Sequence, residues 1–337
     1  MFSTGPFALA AERHAAPRMR RRWTLSLRNS LHAIEWSSDG KLVALTGRGE
    51  AVVLGDGGRA VWRRPGAARC AAWSHDGSVL ALAQEKTIDL RAAADGALLA
   101  VCECEQPIRQ LAWHPRSDVL AVSVARAIRF WRSDGLHLHD HPVDVPPNGI
   151  AWHPSSDRLA FSSTAGVRIL PTGPGVRSFR LASHRAFGEL RWSPKGRRLL
   201  ALAGDGSLVM FDLVRARTLE VRGELCPVRG GVFNPGGQLL ATASISQLSV
   251  WRIDAPRSEQ PIVIAGTGPE LTGFSFSTRD ELATSAVDGT VCVWSLFRPD
   301  APLGSERLSA PAIACTWSPD GGTLAAASGN TVSAFAF

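Results

Sequence analysis

The chain has 337 residues, of which 45% are hydrophobic and 20% charged, so a large core can form and a wholly disordered protein is excluded. No run of about 18 apolar residues is present, which argues against a transmembrane helix. The formal charge is +7 at pH 7 and is carried almost entirely by arginine. A basic balance of this kind fits an acidic partner or a nucleic acid, or simply a GC-rich genome that enriches surface arginine.

The first 20 residues are predicted to be a basic arm outside the folded domain. Their apolar stretch, residues 1–10, precedes the positive charges, which is the reverse of the order in a secretory signal. We therefore expect a cytoplasmic protein. A short basic run at residues 16–22 ends the arm and could contact phosphates or remain a solvated tail.

One pattern then recurs eight times: an aromatic residue, a polar turn, an apolar strand, a second turn and another strand. The distance from the aromatic residue to the end of the second strand is 17 to 19 residues in every copy. Successive copies are 37 to 43 residues apart, which matches the lower edge of the range for propeller blades. The aromatic residues are Trp36, Trp73, Trp113, Trp152, Trp192, Phe233, Phe276 and Trp317.

A weaker fourth strand precedes the next copy, as at residues 60–63, 98–102, 179–181, 218–222 and 262–265. The last copy reaches residue 337 without one. Residues 22–28 precede the first copy and alternate, with Trp23, Leu25 and Leu27 on one face, as a strand with one buried face does. We predict an all-β protein: an eight-bladed β-propeller of four-stranded blades over residues 21–337, closed by this N-terminal strand completing the last blade.

The copies resemble those of the WD-repeat (WD40) family across residues 21–337. The best match is FSFSTRDELATSAVDGTVCVWS at 274–295, and the last copy carries the family's SPDG turn within TWSPDGGTLAAAS at 316–328. The resemblance implies a propeller whose loops bind proteins or peptides.

Several family positions are degenerate. Only Phe211-Asp212 keeps the aspartate of the terminal Trp-Asp pair, and the Gly-His is missing. The structural aspartate of the second turn is matched by Asp205 and Asp288, with His184 as an offset partner for Asp205. The family's buried polar network is therefore expected to be mostly absent, with apolar packing in its place.

No motif predicts catalysis, a cofactor or a metal. A Gly-rich phosphate loop and a G-x-S-x-G elbow are both absent. Cys102 and Cys104 form a C-x-C rather than a C-x-x-C, and the six cysteines are expected to be free thiols. His137, His139 and His141 would share one face of a strand, where a metal site is conceivable, but an exposed outer strand is the preferred interpretation.

We therefore expect a monomeric, non-enzymatic scaffold that binds a protein or peptide, possibly acidic, through loops on one rim, and that does not bind a membrane. That rim holds the links between blades and the second turn of each copy. Binding of nucleic acid or another polyanion through the arm and surface arginines is the alternative. The candidate partner-binding residues are Arg48, Arg64, Arg69, Glu105, Arg109, Arg126, His184, Arg185 and Arg229.

Overall fold

The computed structural model confirms the eight-bladed propeller and describes residues 19–172, 178–181, 185–221, 228–245, 247–255, 260–267 and 270–337. Eight separate sheets each contain four antiparallel strands. In the part of the chain described, the helical structure is a 3₁₀ turn at Asp56–Gly58. No helix among these residues has the length and apolarity needed to cross a membrane.

The blades follow one another in chain order, and within each blade the strands run from the central channel outward. Blades 1 to 4 contain, in that order, β2 (Leu31–Trp36), β3 (Leu42–Thr46), β4 (Ala51–Leu54) and β5 (Ala60–Arg64); β6 (Cys70–Trp73), β7 (Val79–Ala83), β8 (Thr87–Ala92) and β9 (Leu98–Glu103); β10 (Gln110–Trp113), β11 (Val119–Ser123), β12 (Ala127–Arg132) and β13 (His137–Pro142); and β14 (Gly149–Trp152), β15 (Arg158–Ser163), β16 (Gly166–Pro171) and β17 (Phe179–Arg180).

The second half repeats this arrangement up to the last blade. Blades 5 to 8 contain β18 (Phe187–Trp192), β19 (Arg198–Ala203), β20 (Leu208–Asp212) and β21 (Arg217–Val221); β22 (Gly230–Phe233), β23 (Leu239–Ala243), β24 (Leu248–Arg252) and β25 (Ile262–Ile264); β26 (Leu271–Phe276), β27 (Leu282–Ala286), β28 (Thr290–Trp294) and β29 (Gly304–Arg307); and β30 (Ala312–Trp317), β31 (Thr323–Ser328) and β32 (Thr331–Ala336), with β1 (Arg20–Ser26) as the outermost strand.

The core lies between blades, because both faces of each middle strand meet a neighbouring sheet. Every residue of β7 is buried, which explains why its sequence, VLALA, is apolar throughout rather than alternating. The outer strands have one free edge and are largely exposed, as in β13. Cys292 and Cys315 are buried with the apolar residues, as expected, and the five cysteines that the structure describes are unpaired.

The ring is closed by the N-terminal strand, as predicted. β1 pairs antiparallel with β32, from Arg20 opposite Ala336 to Ser26 opposite Thr331. The strand lies two residues earlier than the predicted 22–28, because Leu27 leaves the ladder and its N–H instead donates to the carbonyl oxygen of Asn330 at 2.8 Å. Leu27 is buried against blade 1, with Trp23 and Leu25 partly buried beside it, which is the face predicted from the alternation.

Candidate functional site

The candidate site lies on the rim formed by the inter-blade links and the second turn of each blade, here called the upper rim. Backbone hydrogen bonds hold each link against a second turn. The N–H of Gly47 donates to Ser30 O at 2.7 Å, that of Ala68 to Gly49 O at 3.1 Å, and that of Ile108 to Glu85 O at 2.8 Å. Links and turns therefore form one continuous surface on a rigid scaffold.

Four residues that enter inner strands occupy equivalent positions at the mouth of the central channel. The backbone N–H groups of Arg69, Arg109, Asn148 and Arg229 each donate to the last or near-last carbonyl of the adjacent middle strand, at 2.7 to 2.9 Å. His32 is the counterpart in blade 1, four residues before its aromatic residue, and its Nε2 lies 3.0 Å from Arg69 O. These positions at the mouth of the channel are thus occupied by three arginines, one asparagine and one histidine.

Three of the candidate arginines are already neutralised by ion pairs. Arg64 contacts the buried carboxylate of Asp89 at 2.7 Å, and Arg185 contacts Glu220 at 2.6 Å. Arg229 forms an ion pair with Glu270. For Arg64 this pairing is mainly structural, because Asp89 would otherwise be a buried charge with Arg91 as its remaining partner.

Four other candidates are exposed and form no ion pair with a described residue: Arg48, Arg69, Arg109 and Arg126. All four belong to blades 1 to 3. Two further exposed cations, Arg28 and Lys86, extend the same region, and Glu105 is an exposed acid within it. His184 lies outside the described residues. We call the group of Arg28, Arg48, Arg69, Lys86, Arg109 and Arg126 the basic sector.

Arg28 is not among the candidate residues predicted from the sequence, because the predicted closing strand, residues 22–28, includes it. In the structure that strand ends at Ser26 and Arg28 is exposed. Its position directly before the link into blade 1 was the available signal, since links of this kind build the upper rim.

On the far side of the upper rim, the described residues include acids as well as the paired Arg185 and Arg229. The second turns of blades 5 and 7 carry Asp205 and Asp288, whose carboxylates accept hydrogen bonds from the residues two positions later. The backbone N–H of Thr290 is the main cause that lowers the pKa of Asp288, which therefore stays ionised at neutral pH. Among the described residues of this rim, exposed basic side chains without an ion pair are more numerous in blades 1 to 3 than on the far side.

A cleft opens between blades 1 and 2, inside the basic sector. Its outer part is a cavity of about 350 Å³ lined by His32, Thr46, Gly47, Arg48, Gly49, Ala67, Ala68 and Arg69. An inner cavity of about 260 Å³ shares His32 and Arg69 and continues down the channel wall to Glu35 and Cys70. Gly49 lets the second turn of blade 1 approach the link into blade 2, since a Cβ there, at a φ of +80°, would lie 2.5 Å from Ala67 Cα.

The deep end of the cleft does not provide an activated nucleophile. Burial, followed by the negative charge of Glu35, raises the pKa of the Cys70 thiol to about 11, so the thiol is protonated at neutral pH. Glu35 lines the inner cavity and keeps solvent-accessible surface there, but protein atoms crowd around its carboxyl group, and this burial raises its pKa to about 7. Among the described residues, no group of three or more His, Cys, Asp or Glu side chains is arranged to hold a metal ion.

The histidine strand differs from its predicted geometry. A β-bulge in β13 places His139 opposite Phe130 but His137 opposite the next residue, Trp131. His139 and His141 therefore share a face, whereas His137 lies on the other one, which corrects the expectation that all three would. The rings of His139 and Phe130 stack at 4.6 Å, and His137 Nε2 contacts Asp140 Oδ1 at 2.8 Å.

Comparison with known proteins supports the fold and does not identify a family. No protein-family model and no curated protein matches the sequence. Among solved structures, the chain is similar to the computationally designed Ika8 protein, with a TM-score of 0.77 and 15% sequence identity over 94% of this chain and 100% of that one. At this identity the similarity is one of fold, and the chain is an eight-bladed β-propeller.

Proposed function

We propose that the protein is a non-enzymatic interaction scaffold that binds an acidic peptide or protein segment on the basic sector of its upper rim. The observation that carries the proposal is the distribution of uncompensated charge. Four exposed arginines of blades 1 to 3 lack a described ion-pair partner, whereas Arg185 and Arg229, on blades 5 and 6, are paired.

Unpaired guanidinium groups favour an acidic ligand for two reasons. They can form bidentate hydrogen bonds to carboxylates without first breaking an internal ion pair. They also attract an oppositely charged partner over distances near the Debye length, which speeds association. The cleft at His32, Arg48 and Arg69 adds a concave feature in which one acidic side chain of the partner can be enclosed.

We further infer that the blades are divergent WD repeats. Two blades contain a tryptophan-to-threonine hydrogen bond between adjacent strands, part-buried in the first case and buried in the second: Trp251 Nε1 to Thr242 Oγ1 and Trp294 Nε1 to Thr284 Oγ1, both at 2.9 Å. In both blades the third strand carries a tryptophan at or next to its end and the second strand carries a threonine, and one of the two is the copy closest in sequence to that family.

The test compares two triple charge reversals in the full-length protein. Arg48→Glu, Arg69→Glu and Arg109→Glu alter the basic sector, whereas Lys195→Glu, Arg197→Glu and Arg279→Glu make the same charge change at exposed first turns on the opposite rim. Arg64 and Arg185 are unsuitable targets because reversing them would break internal ion pairs. The probe is a fluorescein-labelled peptide of alternating glutamate and serine, with anisotropy as the readout.

We expect the first triple variant to weaken peptide binding by at least about tenfold and the second to leave the affinity within about twofold of the parent. Both variants change the net charge of the protein by the same amount, so a difference between them reports on the position of the charge. Equal loss in both variants would show that only net charge matters. A single-stranded oligonucleotide of the same charge serves as the second probe. If it binds more tightly than the peptide and its binding requires residues 1–18, polyanion binding by the arm replaces the proposal.

A further inference from the structure

The opposite rim, here called the lower rim, is formed by the first turn of each blade, and neighbouring first turns generally touch. Ser38 Oγ of blade 1 donates to His75 O of blade 2 at 2.9 Å. Comparable contacts join blades 3 and 4, 6 and 7, and 7 and 8: Arg116 to Ser155 O at 2.7 Å, Asn234 to Asp280 at 2.9 Å, and Thr278 to Asp320 O at 3.2 Å.

The seam between blade 8 and blade 1 is open at this level. A Cβ added at Gly77, in the first turn of blade 2, would lie 2.8 Å from Asp39 Oδ1 of blade 1. A Cβ added at the equivalent Gly40 of blade 1 would have no atom within 4 Å. The first turn of blade 1 therefore does not reach that of blade 8, and a cleft of about 510 Å³ separates them. This volume is within the range of ligand sites.

Two indole rings line this cleft and are fixed in place from outside it. Trp36 Nε1 donates to Thr316 O at 3.1 Å, which anchors its ring to blade 8. Trp23 packs directly on Gly58, where any Cβ would collide with the ring. Both rings are half-buried and both border the open space. Preorganised aromatic rings of this kind attract cations as well as apolar groups.

The remaining walls are predominantly acidic, with the carboxylates of Asp39, Asp56 and Asp320 against the guanidinium of Arg22. Asp320 is held by Ser318 Oγ and the N–H of Gly322, which lower its pKa, so it is ionised at neutral pH. Asp39 forms an ion pair with Lys41, and Arg22 donates to Thr323 Oγ1 at 3.1 Å. Asp56 is exposed and forms no hydrogen bond or ion pair with a described residue.

We propose that this seam cleft binds an arginine side chain from a basic segment of a partner protein. The planar guanidinium stacks on the indoles of Trp23 and Trp36 and forms a bidentate hydrogen bond with Asp56. Arginine fits better than lysine because a compact, strongly hydrated ammonium gains less from an aromatic face. The site is separate from the basic sector, which has the opposite charge and lies on the other rim.

The experiment uses three fluorescein-labelled peptides with one sequence, Gly-Ser-Gly-X-Gly-Ser-Gly, in which X is arginine, lysine or citrulline. Citrulline keeps the planar shape but removes the charge. Binding to the full-length protein is followed by anisotropy. Asp56→Asn removes the free carboxylate, and Asp95→Asn is the matched control, because Asp95 is an exposed aspartate between the third and fourth strands of blade 2.

We expect the arginine peptide to bind at least fivefold more tightly than the citrulline peptide and more tightly than the lysine peptide. Asp56→Asn should reduce arginine-peptide affinity by about five- to tenfold, and Asp95→Asn should leave it unchanged. Unfolding midpoints within error of the parent protein show that both variants are folded. The proposal is overturned if citrulline binds as well as arginine, if both aspartate variants behave alike, or if no arginine-peptide binding is detected.

Discussion

The indole Nε1 of Trp36 in blade 1 donates a hydrogen bond to the carbonyl oxygen of Thr316 in blade 8 at 3.1 Å, so the first and last blades are joined by a side chain as well as by β1. The same bond recurs around the ring at Trp73 to Glu35, Trp113 to Ala72, Trp152 to Ala112 and Trp192 to Ala151, at 2.9 to 3.3 Å. It cannot form at Phe233 and Phe276, which lack a donor, and Trp317 Nε1 is buried without a described partner.

Replacing Trp36 with phenylalanine removes the seam bond while keeping an aromatic ring. We expect the free energy of unfolding to fall by about 1–3 kcal/mol, because the Thr316 carbonyl loses its donor and the smaller ring leaves a gap. Chemical denaturation measures the change. Trp317→Phe is the control, because it also shrinks a buried ring but breaks no described hydrogen bond. Equal destabilisation by the two variants would mean that the seam bond contributes nothing.

Removing the closing strand should destabilise the whole ring. Deleting residues 1–28 leaves β32 as an open edge and exposes the apolar face that Leu27, Leu25 and Trp23 cover. We expect a large fall in melting temperature and a tendency to aggregate. The control deletion stops at residue 18, because Met19 is buried and packs against Gly304. A melting temperature for the longer deletion that equals that of the control would contradict the role given to β1.

Arg64 and Arg69 should separate stability from binding. Arg64→Ala leaves the buried Asp89 with Arg91 as its one described ion-pair partner, and we expect it to lower the free energy of unfolding by about 1–3 kcal/mol with little effect on the acidic peptide. Arg69→Ala should weaken peptide binding and leave stability nearly unchanged, since Arg69 is exposed. The two measurements are denaturant unfolding and peptide anisotropy. The opposite pattern would place the partner surface at Arg64.

Glu35 should make stability depend on pH in an unusual direction. Burial raises its pKa from 4.5 to about 7, so between these values the unfolded chain releases a proton that the folded protein keeps. The unfolded state then binds fewer protons, and Glu35 lowers stability as pH rises from about 4.5 to 7.

Glu35→Gln removes this titration. We expect the variant to be more stable than the parent at pH 8 and indistinguishable from it at pH 4, as measured by melting temperature across that range. Glu189→Gln is the control, because Glu189 is also on an inner strand but forms an ion pair with Arg191 at 2.6 Å. Parallel melting curves for Glu35→Gln and the parent at all pH values would argue against a raised pKa.

The fold could be predicted from the sequence because its signals are local. Each blade needs an aromatic residue, a turn and two apolar strands at fixed separations, and those separations are visible without knowing any contact. The closing strand was also predictable, since alternation at Trp23, Leu25 and Leu27 marks a strand with one buried face. The predicted strand, residues 22–28, lies two residues too late along the chain, because pairing with β32 rather than local sequence preference decides where the strand begins and ends.

The bulge that separates His137 from His139 was likewise invisible, because it is set by the register between β12 and β13 and not by alternation along one strand.

The sequence by itself determined the number of blades, their order and the residues on each rim, since the repeat assigns every loop to one side of the ring. It could not determine which charges are available to a partner. Arg64 meets Asp89 and Arg185 meets Glu220 only after different strands or blades pack together, whereas Arg69 and Arg109 meet no such acid among the described residues. The open cleft at the seam is equally a product of ring closure, because the gap beside Gly40 depends on how closely two distant segments of chain approach.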